Sequence, residues 1–322
     1  MTVPIGGIPL ADHAAVFAAL ADAGFTDVWS SEVNGSDAFT PLTLASIWSP
    51  TLQLGTAITP VYTRGPGLLA MTAAALAETA PGRFRLGIGA SSPVVSGDWN
   101  AAVFEKPFAR SRDMLRFLRT ALAGEVVDQE FETFAVRRFR LERPPATPPT
   151  IHLAALRPGM LRLAAAEADG VIMNWLAASD VPAALAETKG AGAGFETVAR
   201  IFVCPTADAA YARNAARRMI AAYLSVPAYA EFHRWLGRGP ALQAMWTAWA
   251  AGDRKGALAA IPDEVVDDLV VHGSPAECRA KVQAYQDAGV AVPVQALIPT
   301  PDLQAGGLKG LTNLFTELGP PR

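Results

Sequence analysis

At 322 residues, with 51% hydrophobic and 18% charged side chains, the chain buries a large core, which excludes a disordered polymer. A formal net charge of −3 sets nucleic acid and membrane surfaces, both acidic, aside as main partners. The N-terminal run MTVPIGGIPLADHAAVF has no basic segment ahead of an apolar stretch, and no segment reaches ~18 uninterrupted apolar residues, so the expected location is the cytoplasm.

A short first strand is expected near residues 3–6, followed by a helix over 10–23 that Gly24 stops. A strand over 26–31 delivers Ser31 and Glu32 to its end. A helix over 39–48 leads to an apolar strand over 52–58. Pro66 then sits at a first helical position, and Leu68, Leu69, Met71, Thr72, Leu76 and Thr79 mark an apolar helix face before the strand 84–89. These continuous apolar runs, joined by a crossover helix, read as parallel strands covered on both faces. A loop over 90–106 precedes a helix over 107–122, and residues 126–141 read as an appended hairpin. Pro144, Pro145, Pro148 and Pro149 form a stiff connector.

The alternation then resumes with strand 150–153, helix 158–166, strand 170–174, helix 180–189 and strand 199–204. A helical insertion over 207–256 carries Tyr211, Tyr223, Tyr229, Trp235, Trp246 and Trp249. Ser274-Pro275-Ala276-Glu277 is a capping box that starts a helix reaching Ala288, and the last strand covers 292–298. Eight strands with intervening helices in one domain over 1–322 predict an α/β fold, a (β/α)8 TIM barrel with insertions. The alternative is an open doubly wound sheet, but its Gly-rich phosphate turn is missing from the first βα connection.

Ligands of parallel α/β folds sit at the carboxyl ends of the strands. Two such ends, Thr56-Ala57-Ile58-Thr59-Pro60 and Gly87-Ile88-Gly89-Ala90-Ser91-Ser92, are poor in bulky side chains, as close approach of a flat ligand requires; relief of packing at a barrel rim is the other reading. Ala154-Ala155-Leu156-Arg157-Pro158-Gly159-Met160 leaves a strand and enters a helix. It reads either as a phosphate-holding turn or as an ordinary βα turn with an exposed arginine. Asn174-Trp175 offers an amide and a flat ring at the next strand end, or plain packing. GxxxxGK[ST], GxSxG and HExxH are absent. His13, His152, His233 and His272 are scattered, so no metal site is expected. Cys204 and Cys278 form no CxxC pair and read as reduced, buried thiols. Arg137, Arg138 and Arg140 read as a solvated hairpin face, with an anion-holding role as the lesser alternative.

These segments together resemble the luciferase-like monooxygenase superfamily, and within it the branch of oxidoreductases that use the deazaflavin coenzyme F420. LGTAITPVYTRGP is similar to the family's third strand and turn, and APGRFRLGIGAS to its fourth strand. Trp99, Phe104, Lys106-Pro107 and Ala109-Arg110 resemble the segment before helix 4. LAALRPGMLRLAAAEADGVIMNWL is similar to the phosphate-binding turn and next strand, YLSVPAY to the helical insertion, and HGSPAEC to the final helix start.

The resemblance implies a cofactor ring against Glu32 and the Ala57–Ile58 peptide, which in the family is typically a non-proline cis bond. It implies a pocket lined by Ala90, Ser91 and Ser92, to which the Asn174 amide read from the strand end would add a cofactor contact, and a phosphate held by Ala155, Leu156, Arg157, Gly159 and Met160. It also implies a homodimer. Val33, Asn100-Ala101 and Ser92 depart from acid/base residues common among relatives. The expected function is F420-dependent hydride transfer between the deazaflavin C5 and a small organic substrate with apolar surface, beneath the aromatic insertion. Glu32 is the candidate for polarisation or proton transfer, and a structural ion pair is its other reading. An FMN-dependent monooxygenase using O2 and a non-catalytic flavin-binding protein are the alternatives.

Overall fold

The computed structural model describes residues 1–320. A 3-10 turn, Leu10–Asp12, leads into α1 (His13–Asp22), and Gly24 at φ 86° ends it, a conformation open to glycine at little cost. There follow β1 (Asp27–Ser30), α2 (Phe39–Trp48), β2 (Gln53–Thr56), β3 (Thr59–Pro60), α3 (Pro66–Thr79), β4 (Phe84–Gly89) and α4 (Pro107–Leu122). Proline occupies the first position of both α3 and α4, where its missing N–H costs nothing. The hairpin β5 (Val127–Glu130) and β6 (Ala135–Phe139) is a separate two-stranded sheet.

The alternation continues with β7 (Thr150–Ala154), α5 (Pro158–Glu167), β8 (Gly170–Asn174), α6 (Val181–Ala186) and β9 (Glu196–Pro205). The insertion comprises α7 (Ala209–Leu224), α8 (Pro227–Trp235), α9 (Gly239–Ala250), α10 (Arg254–Ala259) and α11 (Asp263–Leu269). It runs beyond the expected limit at 256 and ends in an unforeseen strand, β10 (Val270–Gly273). α12 (Pro275–Asp287), β11 (Val292–Leu297) and α13 (Pro301–Leu318) complete the chain; the sequence reading had left α13 out. Among the described residues no helix is long and apolar enough to cross a membrane.

The strands form a parallel circuit, β1-β2-β4-β7-β8-β9, with β11 on the far edge of β9. The N-terminus closes it. Thr2 pairs with Trp29 of β1, while its N–H donates to Gln295 O of β11 at 2.7 Å. The first strand is therefore centred on Thr2 rather than on residues 3–6, because Pro4 has no N–H to extend the ladder. Helix 180–189 is likewise shortened to Val181–Ala186.

The lumen is plugged in two layers. At the amino ends of the strands, Arg85 pairs with Asp27 and Glu196, both at 2.8 Å, and His152 Nε2 lies 2.9 Å from Glu196. Above them Trp29, Ile172, Val198 and Val294 form an apolar floor. Trp29 is 1% exposed and leaves no room opposite: a Cβ on Gly55 would lie 2.2 Å from its ring. Only the carboxyl ends of the strands remain open to a ligand.

Candidate functional site

β1, β2, β4, β7 and β8 are consecutive in the circuit, so their carboxyl ends share one arc of the barrel mouth. Glu32, the Ala57–Ile58 peptide, Ala90–Ser92, the turn 155–160 and Asn174 all lie at these ends. Ala57–Ile58 is a cis peptide bond. Its flanks are tied to β1: Ala57 N–H donates to Ser30 O at 2.6 Å, and Glu32 N–H donates to Ile58 O at 3.2 Å. β3 then pairs with β4 through Thr59 and Pro60.

Backbone approach is made possible by small residues. A Cβ on Gly87 would lie 1.8 Å from Thr56 O, and one on Gly89 would lie 2.8 Å from Ala154 Cβ. Ser91 holds φ at 62°, and the Ser92 hydroxyl accepts from Val95 N–H at 3.2 Å, turning the chain into a π-helical turn, Val94–Asp98.

Glu32 sits in a web that joins two loops. Oε2 lies 3.3 Å from Arg64 Nη2 and accepts from Ala38 N–H at 3.3 Å, and Oε1 accepts from the Thr63 hydroxyl at 3.4 Å. Arg64 also reaches Asp37 at 3.6 Å and lies over the Phe39 ring. The ion pair weighed as Glu32's structural reading is therefore present.

At the next strand end Ala155 is buried, and the Leu156 and Met160 side chains pack on the main core. Those three side chains leave only their backbone toward the mouth. Met160 N–H already donates to Arg157 O at 3.0 Å, whereas Gly159 N–H, in the first turn of α5, has no acceptor among the described residues. Arg157 caps α5 without a side-chain bond and is exposed.

Asn174 donates from Nδ2 to the Tyr229 hydroxyl at 3.0 Å, while its Oδ1 is buried with no partner. Burial pushes the Tyr229 phenol up to about 12, which keeps it protonated. Trp175, at φ 54°, stacks on Phe202 with centroids 4.1 Å apart, and its Nε1 is also buried without an acceptor. Arg200 of β9 pairs in register with Asn174, and its Nε is a further orphan. The sequence places Tyr229 in the aromatic insertion without tying it to Asn174, and it does not single out Arg200. The one available signal was a lone charge inside the apolar strand 198–204.

Other groups stand apart from this arc. Arg137 pairs with Glu130 at 3.1 Å on the hairpin, and Arg138 is almost fully solvated. Cys204 and Cys278 are buried, and burial pushes their thiols up to about 11 and about 12, away from thiolate chemistry. A cleft beside the hairpin is lined by Tyr62, Lys106, Arg110 and Glu132, but its cations are engaged: Lys106 with Glu132 at 3.3 Å, and Arg110 with Val61 O at 3.1 Å.

The mouth thus combines a ledge of small residues, a free helix-start N–H and orphaned polar atoms at the end of β8, a set that fits a flat, amide-bearing ring with a phosphate tail. The chain is similar to 5,10-methylenetetrahydromethanopterin reductase of Archaeoglobus fulgidus, 29% identical over 281 residues, 84% of each chain. Among solved structures it resembles the coenzyme F420 dependent tetrahydromethanopterin reductase of Methanopyrus kandleri, with a TM-score of 0.78 at 19% identity over 99% of this chain and 97% of that one. It also resembles an F420-dependent secondary alcohol dehydrogenase in complex with an F420-acetone adduct, with a TM-score of 0.75 at 15% identity over 98% and 96%. The family model described as luciferase-like monooxygenase matches residues 2–291, and the chain belongs to that family.

Proposed function

We propose that this chain is an F420-dependent oxidoreductase acting on a small organic substrate. The observation that carries this reading is the arc of small strand ends with a free helix-start N–H, and similarity to an archaeal reductase along 84% of the chain supports it. Ala57–Ile58 and Ala90–Ser92 would bed the cofactor's ring, and Gly159 N–H with Arg157 would hold its phosphate. Bound there, the deazaflavin supplies a carbon that gives or takes a hydride.

The chain's own residues bind, orient and exclude water. Glu32 Oε1, engaged only by the Thr63 hydroxyl, is the oxygen placed to polarise a substrate group or move a proton, and Arg64 holds the carboxylate from the other side. The thiols stay reduced in a cytoplasmic setting. The chain works as a homodimer through the face where α2 and α3 pack together, which exposes Ile47, Trp48, Leu68 and Met71.

Titration of the apoprotein with oxidised F420 and, separately, FMN, followed by fluorescence, tests this. Saturable binding of F420 and not FMN is expected. Preference for FMN moves the chain to the monooxygenase or flavin-carrier reading. In the loaded enzyme Glu32→Gln should lower turnover at least tenfold with cofactor affinity little changed; full turnover removes Glu32 from the mechanism.

A further inference from the structure

The side of β9 that faces the lumen is set by residues with known neighbours. Glu196 joins the Arg85 ion cluster, and Val198 joins the apolar floor. Alternation along a strand puts Arg200 on the same side, two residues above that floor. Its register partners are Asn174 of β8 and Val294 of β11. Around the circuit, β9 stands opposite β2 and its Ala57–Ile58 ledge.

The Arg200 side chain has no hydrogen bond or ion pair with any described residue. Its Nε is sealed from water, its guanidinium carbon lies 4.9 Å from the Phe202 ring centroid, and its charge acts on the Tyr229 phenol. The carboxylate on its own strand face, Glu196, is four residues away, ~13 Å along a strand, and is already paired with Arg85 and His152. Arg157 and Arg218 also lack partners, but both are exposed to water. Among the described arginines, Arg200 alone combines a half-buried position with no acceptor.

Sealing a guanidinium Nε from water without giving it an acceptor is unfavourable, and the fork it belongs to carries a positive charge. Its planar fork matches a carboxylate through two parallel N–H bonds. Trp175 and Phe202, stacked beside it, offer flat apolar walls. We propose that Arg200 anchors the carboxylate of a planar organic acid substrate at the lumen mouth, across from the Ala57–Ile58 ledge, with the Asn174 amide beside it. The role as substrate anchor rests on the oxidoreductase reading, whereas carboxylate binding is measurable without any cofactor.

The probes are benzoate and cinnamate against benzamide and cinnamamide, titrated into cofactor-free protein and followed by ligand-observed NMR. The acids should bind at least tenfold tighter than the amides. Arg200→Gln should erase that preference and Arg200→Lys keep part of it, with F420 affinity unchanged within about twofold in both. Equal binding of acids and amides by the unaltered protein, where no question of misfolding arises, overturns the proposal. So does a preference that survives in Arg200→Gln. A selective loss of F420 affinity in Arg200→Gln also overturns it, because Arg200 would then serve the cofactor's ring. Failure of F420 to bind while the acid preference stands would refute the cofactor and leave the carboxylate site.

Discussion

Two arginines in one lumen do different work because of their neighbours. Arg85 is neutralised by Asp27 and Glu196 and braces β1, β4 and β9, while Arg200 has no carboxylate against it. His233 of α8 is a third buried polar group, 0% exposed, lying against the Trp175 backbone without a hydrogen bond of normal geometry. Burial, with the Arg238 charge nearby, lowers its imidazole from 6.5 to about 3. Below pH 6.5 the unfolded chain takes up a proton that the native state refuses, so stability falls with falling pH down to about 3 at ~1.4 kcal/mol per pH unit. Urea unfolding of the wild type should therefore lose about 1 kcal/mol more between pH 6.5 and 5.5 than His233→Leu, because the unfolded imidazole is only half protonated at the upper pH. Identical pH dependence in the two proteins would refute the role given to this imidazole. None of this was visible in a scatter of four histidines, since a lone His reads the same whether solvated or sealed.

At the scale of elements, proline and glycine punctuation made α2, α4, β4 and β8 legible to the residue, because φ restriction and N–H loss act locally. The strand expected over 52–58 breaks at Thr56 for a nonlocal reason. The Thr56 hydroxyl donates to Gly87 O and accepts from Gly87 N–H, both at 2.8 Å, so a side chain replaces the next backbone rung and frees Ala57–Ile58 to form the ledge. The capping box of α12 is present as read: Ser274 and Glu277 exchange bonds at 2.7 Å and 3.4 Å. α12 also bears on the mouth, since the Tyr285 hydroxyl donates to Leu176 O at 3.0 Å, just beyond Trp175. Ser274→Ala should cost about 1 kcal/mol in chemical denaturation, and an unchanged midpoint would show that the cap is dispensable.

For the whole molecule, the insertion and the barrel are one packed body on the β8–β9 side. Trp175, Phe202, Tyr223 and Tyr229 form a continuous aromatic cluster from strand ends to helices α7 and α8. The insertion's aromatic rings therefore reach the ends of β8 and β9 at the barrel mouth. On another face, Leu68 and Met71 are each 51% exposed and Ile47 is 68% exposed, an apolar patch that a second copy would cover. Light scattering of the wild type should give twice 33.8 kDa, and Leu68→Glu with Met71→Glu should give the monomer. A wild-type monomer at micromolar concentration would refute the dimer.

The sequence by itself determined the order and type of nearly every element, the small residues at the strand ends and the α12 cap, because propensity, capping and periodicity act within a few residues. Tertiary structure alone decided that Thr2 closes the barrel, that Glu32 is tied to Arg64, and that Arg200 has no partner. Each of these depends on which distant groups are brought together, and on charges whose cost is set by burial rather than by position in the chain.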